Sequence, residues 1–381
     1  MNKEGRKIAI QILLFLATFI TTTLAGSEWV YSKSILVAGY SWSDFVQGMW
    51  FSVPLIMILT VHEFGHYFTA LHHKVKTSLP YFIPVPPGLM SIGTMGAIIR
   101  IRSRVRVNIQ HFDIGLAGPL AGFVLALMIL FYGFTHLPPP EYVFQFHPDY
   151  EQYGLNYGDS VYTDMYFKKQ ALAGNPSIDV EFGDNLLFLF FEKFVADPER
   201  VPNAHELMHY PLLMAGFIAL FFTSLNLLPI GQLDGGHIVY GLFGAKGHGW
   251  IATLSFLGLL FYSGLGLIDV NNLEQRDALI WSIPLLIGFY YLCLMGLKLP
   301  VKDTVMYALV IFTVQLLVTW LFHVEGYSAW LLFGFLLGRV LGVKHPPSEI
   351  ELPLDEKRKI LGWIALLIFV LCFSPVPITM G

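Results

Sequence analysis

The chain has 381 residues, of which 55% are hydrophobic and only 13% are charged, and its net charge is −4. Soluble domains carry about 25% charged residues, so this composition excludes an ordinary soluble protein and indicates a polytopic membrane protein. No block of basic residues is present, so nucleic acid is not an expected partner. The expected surroundings are the lipid bilayer.

Apolar runs long enough to cross a bilayer as helices recur along the whole chain. The first follows a short basic start and is predicted to be an uncleaved transmembrane helix, because no small-residue cleavage site stands out. We expect an all-α polytopic membrane protein with eight or nine transmembrane helices. The candidate spans are residues 8–27, 46–70, 112–135, 211–229, 249–268, 279–297, 304–322 and 360–375, with a shorter run at 328–342.

Two segments depart from the helical pattern. Residues 79–101 are rich in Pro and Gly and then become β-branched and alternating, which predicts a small membrane-embedded β element. Residues 136–206 include three consecutive prolines and are predicted to form a polar loop. We therefore expect an N-terminal helix with a short outer loop (1–44), a membrane core (45–240) and C-terminal transmembrane helices (241–381).

The distribution of charge predicts the orientation in the membrane. Residues 74–110 carry six Lys or Arg and no acidic residue, whereas 136–206 carry twelve acidic residues against four basic ones. Short loops rich in Lys and Arg face the cytoplasm. We therefore expect the N-terminus and 74–110 inside and 136–206 outside, so that the helix at 46–70 runs inward.

The string HEFGH at 62–66 lies in the cytoplasmic half of that helix. Histidines at positions i and i+4 of a helix face the same direction, and this spacing lets two imidazoles bind one zinc ion. A charged residue at bilayer depth is costly and needs a functional reason, which general-base catalysis supplies. We predict that His62 and His66 bind zinc and that Glu63 is the general base.

A second string, NLLPIGQLDGGH at 226–237, follows the span at 211–229. Its Pro and Gly residues predict a broken helix at the cytoplasmic end, at the depth of HEFGH. Asp234 is therefore the predicted third zinc ligand, and Asn226 is predicted to stabilise the oxyanion of a tetrahedral intermediate. The structural alternatives are an interfacial turn for Asp234 and an interhelical hydrogen bond for Asn226.

Another HExxH string, HELMH at 205–209, is expected to have no catalytic role. A whole membrane span, about 30 Å at the helical rise per residue, separates His209 from Asp234, so the two cannot share an ion. Helix capping, solvation or entry of the chain into the membrane explains HELMH adequately.

Together these residues resemble the site-2 protease family of intramembrane zinc metalloproteases. The resemblance covers roughly 45–240 and includes DIGLAGPLAG at 113–122. It implies one Zn²⁺ per chain on His62, His66 and Asp234, activation of water by Glu63, and a position for Asn226 near the scissile bond. It also implies transmembrane proteins as substrates.

The string PYFIPVP followed by GTMGA is similar to the family branch shared by bacteria, archaea and plastids. We predict a multi-pass protein of the cell (inner) membrane of a prokaryote, and the distribution of charge places its N-terminus and active site toward the cytoplasm. We identify neither a PDZ nor a CBS domain in the sequence.

Two interpretations from other classes are compatible with the same residues. Intramembrane His and Asp also mark ion pathways, so one interpretation is a transporter of a metal or small solute. Such a transporter needs polar residues along a continuous path, and 249–322 contains few of them. The other interpretation is a catalytically inactive membrane scaffold of the same family, against which the intact HEFGH and LDG strings argue.

Overall fold

The computed structural model describes residues 3–88, 91–172, 179–268 and 276–381. Most of these residues are helical. In chain order the α-helices are α1 (Lys3–Tyr31), α2 (Trp42–His72), α3 (Asn108–Thr135), α4 (Gly158–Val161), α5 (Asp164–Leu172), α6 (Leu186–Phe194), α7 (Pro211–Leu227), α8 (Asp234–Gly264), α9 (Arg276–Leu294), α10 (Val301–Phe322), α11 (Trp330–Leu336) and α12 (Glu356–Cys372). The strands are β1 (Tyr81–Pro84), β2 (Thr94–Ile98), β3 (Val180–Phe182) and β4 (Ile378–Met380).

Five helices in the described residues are long and apolar enough to cross a membrane, which supports a multi-pass membrane protein. They are α1, α2, α3, the segment Ile280–Leu297 and α10. The apolar helices Pro211–Leu227 and Trp330–Leu341 are shorter, and α8 has a non-helical residue, Gly244, within it. The predicted number of eight or nine spans is therefore not confirmed.

Helix α2 carries HEFGH and has a well-defined start. Ser41 and Asp44 form a capping box, in which the Ser41 hydroxyl accepts from the Asp44 N–H and the Asp44 carboxylate accepts from the Ser41 N–H. The helix ends at His72, and Lys74 shortly beyond it has a left-handed backbone, with φ of 58°. HEFGH thus occupies a regular helix near its C-terminal end.

The β element predicted at 79–101 is confirmed as a two-stranded antiparallel sheet. Strand β1 pairs with β2 in a register that places Tyr81 opposite Ile98 and Phe82 opposite Ala97. Helix α1 lies against this hairpin, where Thr21 donates a hydrogen bond to the carbonyl of Gly93 (2.7 Å). Gly93 has φ of 82°, and a Cβ there would lie 2.4 Å from the Thr21 carbonyl oxygen, so only glycine fits this contact.

Residues 136–210, which we call the polar layer, are more ordered than the predicted loop. The described part contains α4, α5, α6, β3 and 3-10 helices at Pro140–Gln145, Pro148–Asn156 and Ala204–His209. Val143, Tyr150, Tyr157 and Val161 form a buried cluster, and β3 pairs antiparallel with β4 at the far end of the chain. Because aromatic residues provide this segment with its own core, the expectation of a plain loop is wrong. Residues 173–178 of it lie outside the described residues.

The chain divides into two compact units. The first contains Met1–Arg104, Ala117–Leu225 and Leu367–Gly381, and the second contains Val105–Leu116 and Asn226–Leu366. In the first unit α1 and α2 pack closely, with the hydroxyls of Thr23 and Ser52 2.7 Å apart. In the second unit Arg358 forms two parallel hydrogen bonds with Asp113, of 2.7 and 2.8 Å.

Candidate metal centre

His62 and His66 lie one turn apart on α2, and their rings converge. The two Nε2 atoms are 3.0 Å apart, and the ring centroids are 4.8 Å apart. Each side chain is only 7% exposed, and Glu63 beside them is 6% exposed. Three ionisable groups are therefore buried within one turn of an apolar helix.

Two glycines of α3 make room for these imidazoles. A Cβ on Gly118 would lie 2.1 Å from Nε2 of His66, and one on Gly122 would lie 3.0 Å from Cβ of His62. Gly65 of α2 has a matching role, because a Cβ there would meet the Ala117 carbonyl oxygen at 2.6 Å. The small residues of DIGLAGPLAG thus let α3 approach α2 at the histidine pair, a role that the sequence did not reveal.

The donor pair fits a zinc ion. Zinc binds imidazole nitrogen at about 2.0–2.1 Å, so two ligands of one tetrahedral ion are roughly 3.3 Å apart. The Nε2 atoms, 3.0 Å apart, are close to that separation and point into the same space. The separation thus fits two ligands of one zinc ion, and the assignment of His62 and His66 as zinc ligands stays a prediction.

Asn226 and Asp234 belong to the second unit, whereas the histidines belong to the first. Asn226 is near the end of α7, and Asp234 is the first residue of α8. Between these helices the chain turns tightly at Gly231, with φ of 61°, and a Cβ on Gly235 would lie 2.0 Å from the Leu227 carbonyl oxygen. The broken helix predicted from the glycines is therefore present, and the assignment of Asp234 and Asn226 to the zinc site stays a prediction.

The second HExxH string has a different local structure. It lies in a 3-10 helix, Ala204–His209, in which side chains three residues apart lie on the same side and side chains four apart do not. His205 pairs with Asp179, with Nδ1 2.6 Å from Oδ1, and its ring stacks on Tyr162. His205 and His209 therefore do not converge as His62 and His66 do.

His237 lies in a cluster of imidazoles in the second unit. Its Nδ1 is 2.7 Å from Nε2 of His345, and its ring stacks on that of His111. The ligand atoms of these three histidines lie within 4.8 Å of one another. Nothing in the sequence linked His237 with residues 126 positions earlier and 108 positions later.

A family model described as "Peptidase family M50" matches residues 50–265 of the chain. The chain is 30% identical over 233 residues to the "Probable zinc metalloprotease EGY1, chloroplastic" of Arabidopsis thaliana, which covers 60% of this chain and 34% of that protein. It is 29% identical over 236 residues to the "Probable zinc metalloprotease EGY2, chloroplastic" of Oryza sativa subsp. indica. This match covers 62% of this chain and 35% of that protein. The chain thus spans about a third of the length of these relatives. No solved structure matches it significantly.

Proposed function

The chain belongs to peptidase family M50, and we propose that it is an intramembrane zinc metalloprotease whose substrates are transmembrane proteins. The observation that carries this proposal is the buried pair of imidazole nitrogens, 3.0 Å apart, beside a buried carboxyl on an apolar helix long enough to span a membrane. Burying three ionisable groups in a membrane helix is costly unless a function requires it.

In this proposal His62 and His66 hold one Zn²⁺ together with Asp234. The two histidines supply two imidazole nitrogen donors, and Asp234 supplies a carboxylate at the start of α8, after a turn that contains Gly231. When bound, zinc lowers the pKa of a water molecule toward neutrality and polarises the scissile carbonyl.

Glu63 is the proposed general base. Its carboxylate accepts the proton of the attacking water and delivers it to the leaving amine nitrogen. Its burial keeps bulk water away, which strengthens its interaction with that proton. The side-chain amide of Asn226 is proposed to donate a hydrogen bond to the oxyanion of the tetrahedral intermediate.

The hairpin is proposed to hold the substrate in an extended form. A substrate helix hides its peptide bonds, so it must unwind before cleavage, and an edge strand provides partners for the N–H and C=O groups that unwinding frees. Two side chains of β2 are well exposed, Met95 at 72% and Ile98 at 56%, which supports access to this strand.

The proposed membrane arrangement keeps eight or nine spans, with 45–240 as the catalytic core. The N-terminus and residues 74–110 lie on the cytoplasmic side of a prokaryotic inner membrane, and the active site faces the same side. The six basic residues of 74–110 support this orientation, because positive loops stay inside. The relatives carry chloroplastic names, so the prokaryotic inner membrane in this proposal rests on the sequence alone.

The proposal is tested with purified protein in detergent and a library of single-span membrane peptides, with products identified by mass spectrometry. Glu63→Gln is expected to retain zinc at the wild-type level and to lower the cleavage rate by about 10²- to 10⁴-fold, the range for loss of a general base. His66→Ala is expected to lose the ion of this site and all cleavage. A Glu63→Gln protein that cleaves at the wild-type rate would refute the proposed mechanism.

A further inference from the structure

Three side chains of the polar layer converge away from the HEFGH string. Nε2 of His147 and Nε2 of His209 are 3.2 Å apart, and Oε2 of Glu206 is 3.6 Å from each of them. Ligands of one tetrahedral zinc ion, at about 2.0–2.2 Å from the metal, are separated by roughly 3.3–3.6 Å. The three atoms therefore form one face of a tetrahedral metal site.

The outer contacts orient these ligands. Nδ1 of His209 lies 2.6 Å from the carbonyl oxygen of Val30 and donates to it, so the lone pair of Nε2 faces the cluster. The ring of His209 stacks on Phe146 and that of His147 stacks on Tyr150, with centroids 4.1 and 4.5 Å apart. A carbonyl acceptor behind the imidazole is the arrangement that supports histidine ligands in metal sites.

The carboxyl of Glu206 has one satisfied and one unsatisfied oxygen. The Tyr162 hydroxyl donates to Oε1, whereas Oε2 is buried, has no hydrogen-bond donor among the described residues, and points toward the two imidazoles. Glu206 is 1% exposed and His209 is 2% exposed. A buried carboxylate oxygen without a donor is unfavourable, and a cation in the cluster would satisfy it together with both Nε2 atoms.

The ligand types indicate which metal suits the cluster. Two imidazoles and one carboxylate are a set that binds zinc. The side chain of His147 is 34% exposed, which leaves the fourth coordination position accessible to a water molecule.

From this geometry we propose that the protein has a second zinc site, formed by His147, Glu206 and His209, which cross-links the polar layer. His147 precedes the 3-10 helix Pro148–Asn156, the other two ligands belong to the 3-10 helix Ala204–His209, and His209 is also bonded to the end of α1 through Val30. One ion would therefore link segments that are far apart in the chain. The proposal concerns metal bound in addition to the HEFGH site and does not depend on the proposed protease activity.

The test is the zinc content of purified wild-type and variant proteins, measured by mass spectrometry after removal of free metal. Wild type is expected to hold two zinc ions, His147→Gln one, and the double variant His66→Ala/His147→Gln none. His205→Gln is the matched control, because it changes the first histidine of HELMH but not the cluster, and it is expected to keep two. Glu206→Gln, which preserves side-chain shape and an oxygen for Tyr162, is the second variant in case His147→Gln does not fold.

Cobalt provides a readout of coordination. His66→Ala protein loaded with Co²⁺ is expected to show the visible absorption of tetrahedral cobalt, and His66→Ala/His147→Gln is expected to lack it. A chelator should lower the unfolding temperature of His66→Ala but not that of the double variant, because bound metal stabilises the folded state. Retention of two ions by His147→Gln and Glu206→Gln, or a single wild-type ion that His66→Ala alone removes, would overturn the second site. If instead His66→Ala retains all its zinc while His147→Gln loses an ion, the proposed catalytic site is wrong and the second site stands.

Discussion

At the residue scale, the positions of His62 and His66 depend on two glycines of α3. A side chain at 118 would occupy the space of the His66 imidazole, and one at 122 would press on His62. Gly258 of α8 has no such constraint, since a Cβ there would meet nothing within 4 Å. The constraint at 118 and 122 comes from the close approach of α3 to α2.

Gly118→Ala is therefore expected to abolish zinc binding at His62 and His66. The added Cβ would lie 2.1 Å from Nε2 of His66, so the imidazole must leave its position or α3 must move. We expect at least a 100-fold loss of cleavage, at the upper end of the effect of displacing a supporting group at a metal site. Zinc content and cleavage of membrane peptides are the measurements.

Gly258→Ala is the matched control for that substitution. Alanine in an open position of a helix is expected to stabilise the fold by about 0.5–1 kcal/mol, because glycine loses more backbone entropy on folding. Zinc content and cleavage should match wild type. Full zinc occupancy in Gly118→Ala protein would show that α3 does not constrain His66.

At the element scale, helix type decides what the two HExxH strings can do. HEFGH lies in an α-helix, in which positions four apart are adjacent, so its histidines converge. HELMH lies in a 3-10 helix, in which positions three apart are adjacent, so Glu206 and His209 converge and His205 turns to Asp179. The same five-residue pattern thus brings different side chains together.

The sheet is the second element with a proposed function. In the described part of the chain β2 pairs only with β1, so its other edge is not paired with a strand. Successive N–H groups of a strand point to opposite edges, so the N–H groups of Ala97 and Ile98 face different sides of β2. One faces β1, and the other faces the edge proposed to bind substrate.

Ala97→Pro and Ile98→Pro are accordingly a matched pair. Proline removes one backbone N–H donor from the strand. If that N–H lies on the unpaired edge, its loss should weaken substrate binding and lower cleavage, while zinc content and folding remain normal. The substitution on the side of β1 should instead destabilise the hairpin. Unchanged cleavage in both folded, zinc-containing variants would exclude the strand as the substrate clamp, and loss of zinc in both would assign it a structural role instead.

At the scale of the whole molecule, charge and hydropathy predict the path through the membrane. Basic residues concentrate in 74–110 and acidic residues in 136–206, and α3, a helix long enough to span, connects the two segments. The positive-inside rule therefore assigns them to opposite sides. Both native cysteines, Cys293 and Cys372, are fully buried, so introduced cysteines can be labelled selectively.

Single cysteines at Ser103 and Ser160 test this orientation in sealed vesicles of known sidedness. A membrane-impermeant maleimide added outside is expected to label the Ser160 variant, since that residue is exposed in the polar layer, and to leave the Ser103 variant unlabelled until the membrane is permeabilised. The cysteine-free double variant controls for background. Labelling of both positions from one side would exclude the orientation and, with it, the equal depth proposed for HEFGH and Asp234.

Features that depend on near neighbours in the chain were predictable from the sequence. Spacing of four residues in an apolar helix was sufficient to orient His62 and His66 toward each other, and glycines after α7 were sufficient to predict a broken helix before Asp234. The Pro- and Gly-rich stretch before β2 likewise predicted a β element rather than a helix. These features are local because backbone geometry fixes the direction of each side chain within its own element.

Contacts between distant elements, in contrast, were visible only in the folded chain. Gly118 faces His66 across two helices, His147 lies beside His209 although 62 residues separate them, and β3 pairs with β4 at the end of the chain. The sequence predicted neither a core for the polar layer nor a shared cluster for Glu206 and His147. Such contacts result from many weak packing interactions between distant segments, and no periodicity within either segment encodes its partner.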